Sequence, residues 1–280
     1  MAPYRKGFTL IEIMLSMVMM LLVSGTIYQL LFTTQRLSRT QAERLALQAG
    51  VRGAALVVGN ELRELSTVEG GSSTQNDILS LGPNAVSYRA MRGFGYTCQA
   101  LAAGVLRIDR TGFSGYRDPQ AGRDSALVYV PGLTAPADSG WTPLAITNVS
   151  SAAACAGAAG PGLTLTTAGS IPVGTAPAGT PVRIYEPMEL GSYRSEGQFW
   201  LGMRSLSSGE AIQPVFGPLD ETQGFRLDYA DATGGATLIA TAVKSITIAL
   251  RGVSPAFEAF PGEPLAEAVT TQIMLRNGAY

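Results

Sequence analysis

Gly7-Phe8-Thr9-Leu10-Ile11-Glu12-Ile13 leads into an apolar run that continues to Phe32, FTLIEIMLSMVMMLLVSGTIYQLLF. Its 25 residues suffice for a helix to cross a hydrocarbon core of roughly 30 Å. Glu12 stands five residues into that run. An ionised carboxylate in an apolar layer costs roughly 2.5 kcal/mol or more at the helix centre, so it calls for a partner. Nothing basic lies within the span. Arg5 and Lys6 precede it, which by the positive-inside rule keeps the N-terminus cytoplasmic and sends the remainder outward.

A cleaved secretory signal would have a shorter apolar core followed by a small-x-small site, but here VSGTIYQLLF continues apolar through that place. An uncleaved signal anchor is the plainer alternative, and hydropathy alone does not separate it. Glu12 does. The residues K-G-F-T-L-I-E behind a short basic leader resemble the class III signal of type IV pilins and pseudopilins. In that family a membrane peptidase cuts after the glycine and methylates the new amino group. The resemblance implies cleavage between Gly7 and Phe8, N-methylation of Phe8, and pairing of Glu12 with the N-terminus of a neighbouring subunit, which sets an axial register for assembly.

The rest of the composition bears on what the head does. The chain has 280 residues, a net charge of −1 and no histidine. The missing imidazole removes the commonest general base, the commonest metal ligand and the usual serine or cysteine triads. Two cysteines are too few for a structural zinc site. Near-zero charge does not point to an anionic partner. No nucleophile elbow, P-loop or paired-carboxylate arrangement stands out, so the expectation is a non-enzyme with no catalytic residue, no metal and no cofactor.

Beyond the span, Leu47, Val51, Ala54, Val58, Leu62 and Leu65 recur at helical spacing, predicting an amphipathic stripe against a sheet. At under three heptads the stripe is too short for an independent coiled coil. Gly70-Gly71 supplies a stop. One continuous helix from Phe8 to Leu65 would reach roughly 87 Å, weakened locally by Gly25, Gly50, Gly53 and Gly59 at about 1 kcal/mol each. Downstream the period becomes two. Candidate strands are 77–81, 85–91, 104–109, 125–130, 180–186, 198–204, 224–231, 243–250 and 270–276, with DATGG turning the chain between the strands at 224–231 and 243–250. Residues 131–180, dominated by Ala, Gly, Thr, Ser and Pro, read as long loops or an irregular insertion.

The succession RIYEP, FWLGMRS, GEAIQPVFGPLDETQGFRLDYADATGG, AVKSITIALRGVSP is similar to minor pilins of the PilW type and to the J-type pseudopilin of type II secretion. It covers roughly Tyr185 to Pro255. The two resemblances together imply an α+β fold, a long N-terminal helix packed on an antiparallel β-rich pilin-like head. The expected divisions are a leader over 1–7, a transmembrane and filament-core half-helix over 8–32, an amphipathic half over 33–69, and an extracytoplasmic head over 70–280 with a low-complexity loop region at about 131–180. The implied partners are other pilins through the N-terminal helix, the prepilin peptidase, and inner-membrane lipid before assembly. Pilus and pseudopilus share this physics and stay open as alternatives.

Two further candidates lie in the head. Cys98 and Cys155, outside the cytoplasm by the orientation above, would close a loop of roughly 58 residues and contribute about 4 kcal/mol in the chain-entropy model. Two free thiols are the alternative. The stretch SYRAMRGFGYTC interleaves Arg89 and Arg92 with Phe94 and Tyr96, and Arg107, Arg110, Arg117 and Arg123 follow. It is a candidate patch for DNA phosphates and stacked bases, as a DNA-uptake or adhesive subunit would need. Otherwise it is a solvated surface or a contact for an acidic face, and Glu186, Glu189, Glu196, Glu210, Asp220 and Glu221 supply such a face within this chain. Asp228 and Asp231 beside a glycine turn are too few for calcium and fit a turn.

Overall fold

The computed structural model describes residues 7–67, 76–100, 103–130, 140–152, 154–155, 160–169, 171, 177–260 and 263–275. Among the described residues one long α-helix, α1 (Leu10–Arg63), is followed by thirteen strands and a short 3-10 turn at Ala240–Ala242. They are β1 (Ile78–Leu81), β2 (Ala85–Tyr96), β3 (Val105–Asp109), β4 (Ser114–Gly115), β5 (Ser125–Val130), β6 (Gly140–Ala152) and β7 (Gly162–Ala168). Then come β8 (Pro181–Ser195), β9 (Gln198–Ser205), β10 (Gln213–Leu219), β11 (Phe225–Ala230), β12 (Ser245–Phe260) and β13 (Glu263–Met274). The paired strands are antiparallel throughout, in the order β11-β12-β10-β9-β8-β5-β6-β7-β3, with β13 on β12 and β2 on β8. The fold is α+β, a long helix packed on an antiparallel sheet.

The stripe of α1 meets the sheet as its spacing predicts. Val51, Val58, Leu62 and Leu65 are all at most 1% exposed, so each is worth about 1.5–3 kcal/mol of burial. They join Val86, Leu190, Leu201, Ile246, Ile248 and Ile273 in one core. The β12–β13 hairpin runs along the helix. A Cβ on Gly59 would touch Ile273, Leu47 lies against Gly252, and Ser254 Oγ donates to Glu43 Oε1 at 2.8 Å. Arg44 Nε donates to Glu267 Oε1 at 2.6 Å. α1 ends at Arg63 with Glu64 as its C-cap. The stop expected at Gly70-Gly71 lies outside the described residues.

A second core contains Leu106, Ile108, Val128, Leu144, Ile146, Leu163, Leu165, Val182 and Ile184. It corrects the reading of 131–180 as loop, since β6 and β7 lie within that stretch. Leu144, Ile146, Leu163 and Leu165 alternate with Ala145, Thr147 and Thr164, so only every second side chain is bulky. The composition of small residues hid a period of two that was present. Residues 131–139, 153, 156–159, 170 and 172–176 of that stretch lie outside the described residues. β8 joins the two cores, giving Val182 and Ile184 to one and Met188 and Leu190 to the other. β10 was also unexpected, because its two prolines argue against a strand. It tolerates them through register shifts on either side of Phe216.

Candidate processing and assembly site

Gly7, Phe8 and Thr9 precede the helix in irregular backbone, and Phe8 is 84% exposed. The Gly7–Phe8 bond therefore lies outside α1, in the non-helical form an endopeptidase requires. Thr9 is the N-cap, with φ −78° and ψ 150°. Its backbone N–H and its Oγ1 each donate to Glu12 Oε2 at 3.0 Å, and the Glu12 N–H donates to Thr9 Oγ1 at 3.4 Å. This is a reciprocal capping box, worth about 1 kcal/mol to a helix start.

The box explains how Glu12 is accommodated. The first-turn amides of a helix are unpaired and carry partial positive charge, which favours an anion. Both cap bonds land on one oxygen, and among the described residues no hydrogen bond reaches Oε1. The carboxylate thus keeps an acceptor for another group. Phe8, Glu12, Ile13, Ser16, Met17 and Met20 line a shallow groove on one helix face around it. Thr9 was missed as a functional residue, although T-x-x-E at the head of an apolar run is a legible capping signature.

From Phe8 to Phe32 the large apolar side chains are exposed, and the most apolar window of α1 has no residue buried in the molecule. Near-continuous apolar surface on that scale requires lipid or other helices. Leu45, Leu56 and Val57 continue an exposed apolar face beside the head, opposite the buried stripe. The upper half-helix is thus fixed to the sheet while the lower half is free to pack elsewhere.

The other candidates fall in the head. Cys98 and Cys155 form a disulfide with a Cα–Cα distance of 5.7 Å. It ties the end of β2 to the segment after β6, and Cys98 N–H donates to Arg107 O at 2.9 Å, linking the same point to β3.

The structure supplies Arg89, Arg92, Arg117 and Arg123 of the arginine-rich stretch with partners inside the chain. Arg89 is 8% exposed, donates through Nη1 to Asn76 O at 2.6 Å and lies over the Tyr185 ring. Arg92, Arg117 and Arg123 converge on Glu186, itself 1% exposed. Arg92 Nε reaches Glu186 Oε2 at 2.9 Å and its Nη1 reaches Glu61 of α1 at 3.2 Å. Arg117 pairs with Asp124, and Arg123 with Glu210. Phe94 and Tyr96 stack edge-on against each other at 5.1 Å between centroids. Neutralised guanidiniums offer little to phosphates, because phosphate affinity depends on uncompensated positive charge. The acidic face inferred from the sequence is in part the arginines' own partner. Burial raises the Glu186 pKa, but hydrogen bonds from Arg92, Ser205 and Arg123 outweigh it and leave the carboxyl below its ordinary range.

Asp231 holds a turn, accepting from Thr233 N–H at 2.8 Å and Gly235 N–H at 3.0 Å, and Asp228 pairs with Arg226.

Residues 3–28 match the family described as the prokaryotic N-terminal methylation motif. No curated protein and no solved structure matches the chain. The motif match covers the basic leader, the Gly7–Phe8 bond, Glu12 and most of the apolar run, and it supports a type IV pilin-like or pseudopilin chain of the kind processed by prepilin peptidase and assembled with other pilins.

Proposed function

We propose that this chain is a minor type IV pilin of the PilW type. It is made as a prepilin inserted once in the inner membrane, with the head outside the cytoplasm. It is cut between Gly7 and Phe8, methylated at Phe8, and drawn into a pilus where its helix packs on those of other pilins. Its work is structural, not catalytic. The observation that carries the reading is the division of α1. An exposed apolar half bearing Glu12 near its start is continuous with a half sealed against the sheet. The free Oε1 of Glu12 suits the amino terminus of a neighbour, and because Glu12 is present the subunit accepts another above it.

The similarity over Tyr185 to Pro255 supports the PilW type and extends to the J-type pseudopilin, which is the second reading. Deleting the gene and measuring sheared surface pili and secreted protein from one culture separates them. Loss of pili with normal secretion is expected. Intact pili with stalled secretion would transfer the chain to the type II system.

A further inference from the structure

Where the apolar run ends, α1 and the β12–β13 hairpin enclose a cleft of about 400 Å³ lined by Phe32, Gln35, Arg36, Arg39, Pro255 and Phe257, among others. Its depth is set by the helix. At 1.5 Å per residue, Arg36 and Arg39 lie about 6 and 10 Å beyond Phe32 along the axis. A headgroup layer occupies about 5–7 Å on each side of the hydrocarbon. Helical side chains lean toward the helix N-terminus, so both guanidiniums lean back toward the bilayer.

The two arginines are three residues apart and share a helix face. Both are exposed, and among the described residues neither forms an ion pair. That differs from the head, where Arg92, Arg117 and Arg123 are all matched with carboxylates. The opposite wall is apolar, formed by Pro255, Ala256 and Phe257. Two planar cations with no ion pair among the described residues, facing an apolar wall at headgroup depth, are complementary to a phosphate ester carried on acyl chains.

We propose that this cleft holds the phosphate headgroup of an anionic phospholipid in the outer leaflet, with Arg36 and Arg39 on the phosphate and Phe32 and Phe257 against the first carbons of its chains. The inference rests on the membrane-anchored reading of α1. It goes beyond that reading by giving the unassembled head a fixed seat on the membrane, which is given up when the helix leaves the bilayer.

The full chain is reconstituted in nanodiscs of phosphatidylcholine with phosphatidylglycerol, gently extracted, and its retained lipid counted by native mass spectrometry. Phosphatidylglycerol should be retained over phosphatidylcholine by about thirtyfold beyond their mixing ratio, the preference two interfacial arginines supply. An Arg36→Ala/Arg39→Ala variant should lose that preference with unchanged circular dichroism, since both side chains are exposed. Arg36→Lys/Arg39→Lys should keep part of it, having charge without the fork. Equal retention of both lipids, or a preference that survives the alanine variant, would overturn the proposal. So would complete displacement by inorganic phosphate, which would make the site one for free anions. Altered self-association of the alanine variant with unchanged lipid retention would assign the arginines to a second copy instead. Flotation with pure phosphatidylcholine vesicles tests the anchor separately, so failure there is not confused with failure of the cleft.

Discussion

The ring of Phe216 occupies the space that a side chain on Gly50 would need: a Cβ there would stand 2.8 Å from Phe216 Cε2. The same ring closes on Gly252, where a Cβ would lie 2.7 Å from Cζ. Phe216 is thus wedged between helix and sheet by two residues that lack side chains. Gly50, a weak point by helix propensity, is what lets β10 approach α1.

Gly50→Ala should therefore destabilise despite alanine's better propensity, by about 1–2 kcal/mol, because the Phe216 ring, against which Gly252 also closes, would have to shift. Gly53→Ala, three residues on, meets nothing within 4 Å and should stabilise by up to about 0.8 kcal/mol. Thermal unfolding of the full chain in detergent gives both signs. Shifts in the same direction would refute the wedge.

Glu186→Gln should cost roughly 3 kcal/mol at neutral pH, since it leaves three arginines around an uncharged amide. The carboxyl's folded pKa lies below its unfolded value, so its contribution is complete above the unfolded value and is lost as pH falls through the folded one. Urea titrations of both proteins should show a gap that is wide at pH 7 and shrinks in that acidic window. A gap independent of pH would mean that packing, not charge, is being measured.

Replacing both cysteines, as Cys98→Ser/Cys155→Ser, should cost about 2–4 kcal/mol. The loss should concentrate in β3, β6 and β7. Hydrogen exchange can locate it, and equal deprotection of α1 and β12 would contradict the view that the bridge serves the second core.

Thr9→Ala removes the cap and should weaken the helix start by about 1 kcal/mol while leaving the carboxylate in place. Incorporation into sheared filaments should survive Thr9→Ala and fail with Glu12→Ala. If the two variants lost incorporation equally, Glu12 would act through its own helix and not through a neighbour.

Cleavage has a direct readout. Co-expression with a prepilin peptidase should shift the mass by the loss of residues 1–7 and the gain of one methyl group on Phe8. A leader left intact under those conditions would refute processing at Gly7.

The sequence by itself determined the elements whose side chains carry their own periodicity. The stripe from Leu47 to Leu65 and strands such as β3 and β11 were legible because burial on one face imposes period 3.6 or period 2 whatever the partner is, and the apolar run from Phe8 was legible by its length. Glu12 stood out because a carboxylate inside an apolar run is costly enough to need a reason, and Gly7 and Phe8 were marked only through the resemblance to the prepilin signal, which the motif match over residues 3–28 supports. Only the tertiary structure decided which charges cancel. Arg92, Arg117 and Arg123 read as a basic patch along the chain, yet Glu186 lies 63 to 94 residues away from them in sequence. Likewise β6 and β7 became strands through the second core they share with β3, β5 and β8, and Gly50 became a seat for Phe216 once β10 crossed it. Local pattern records what a residue prefers, and long-range contact decides what it meets.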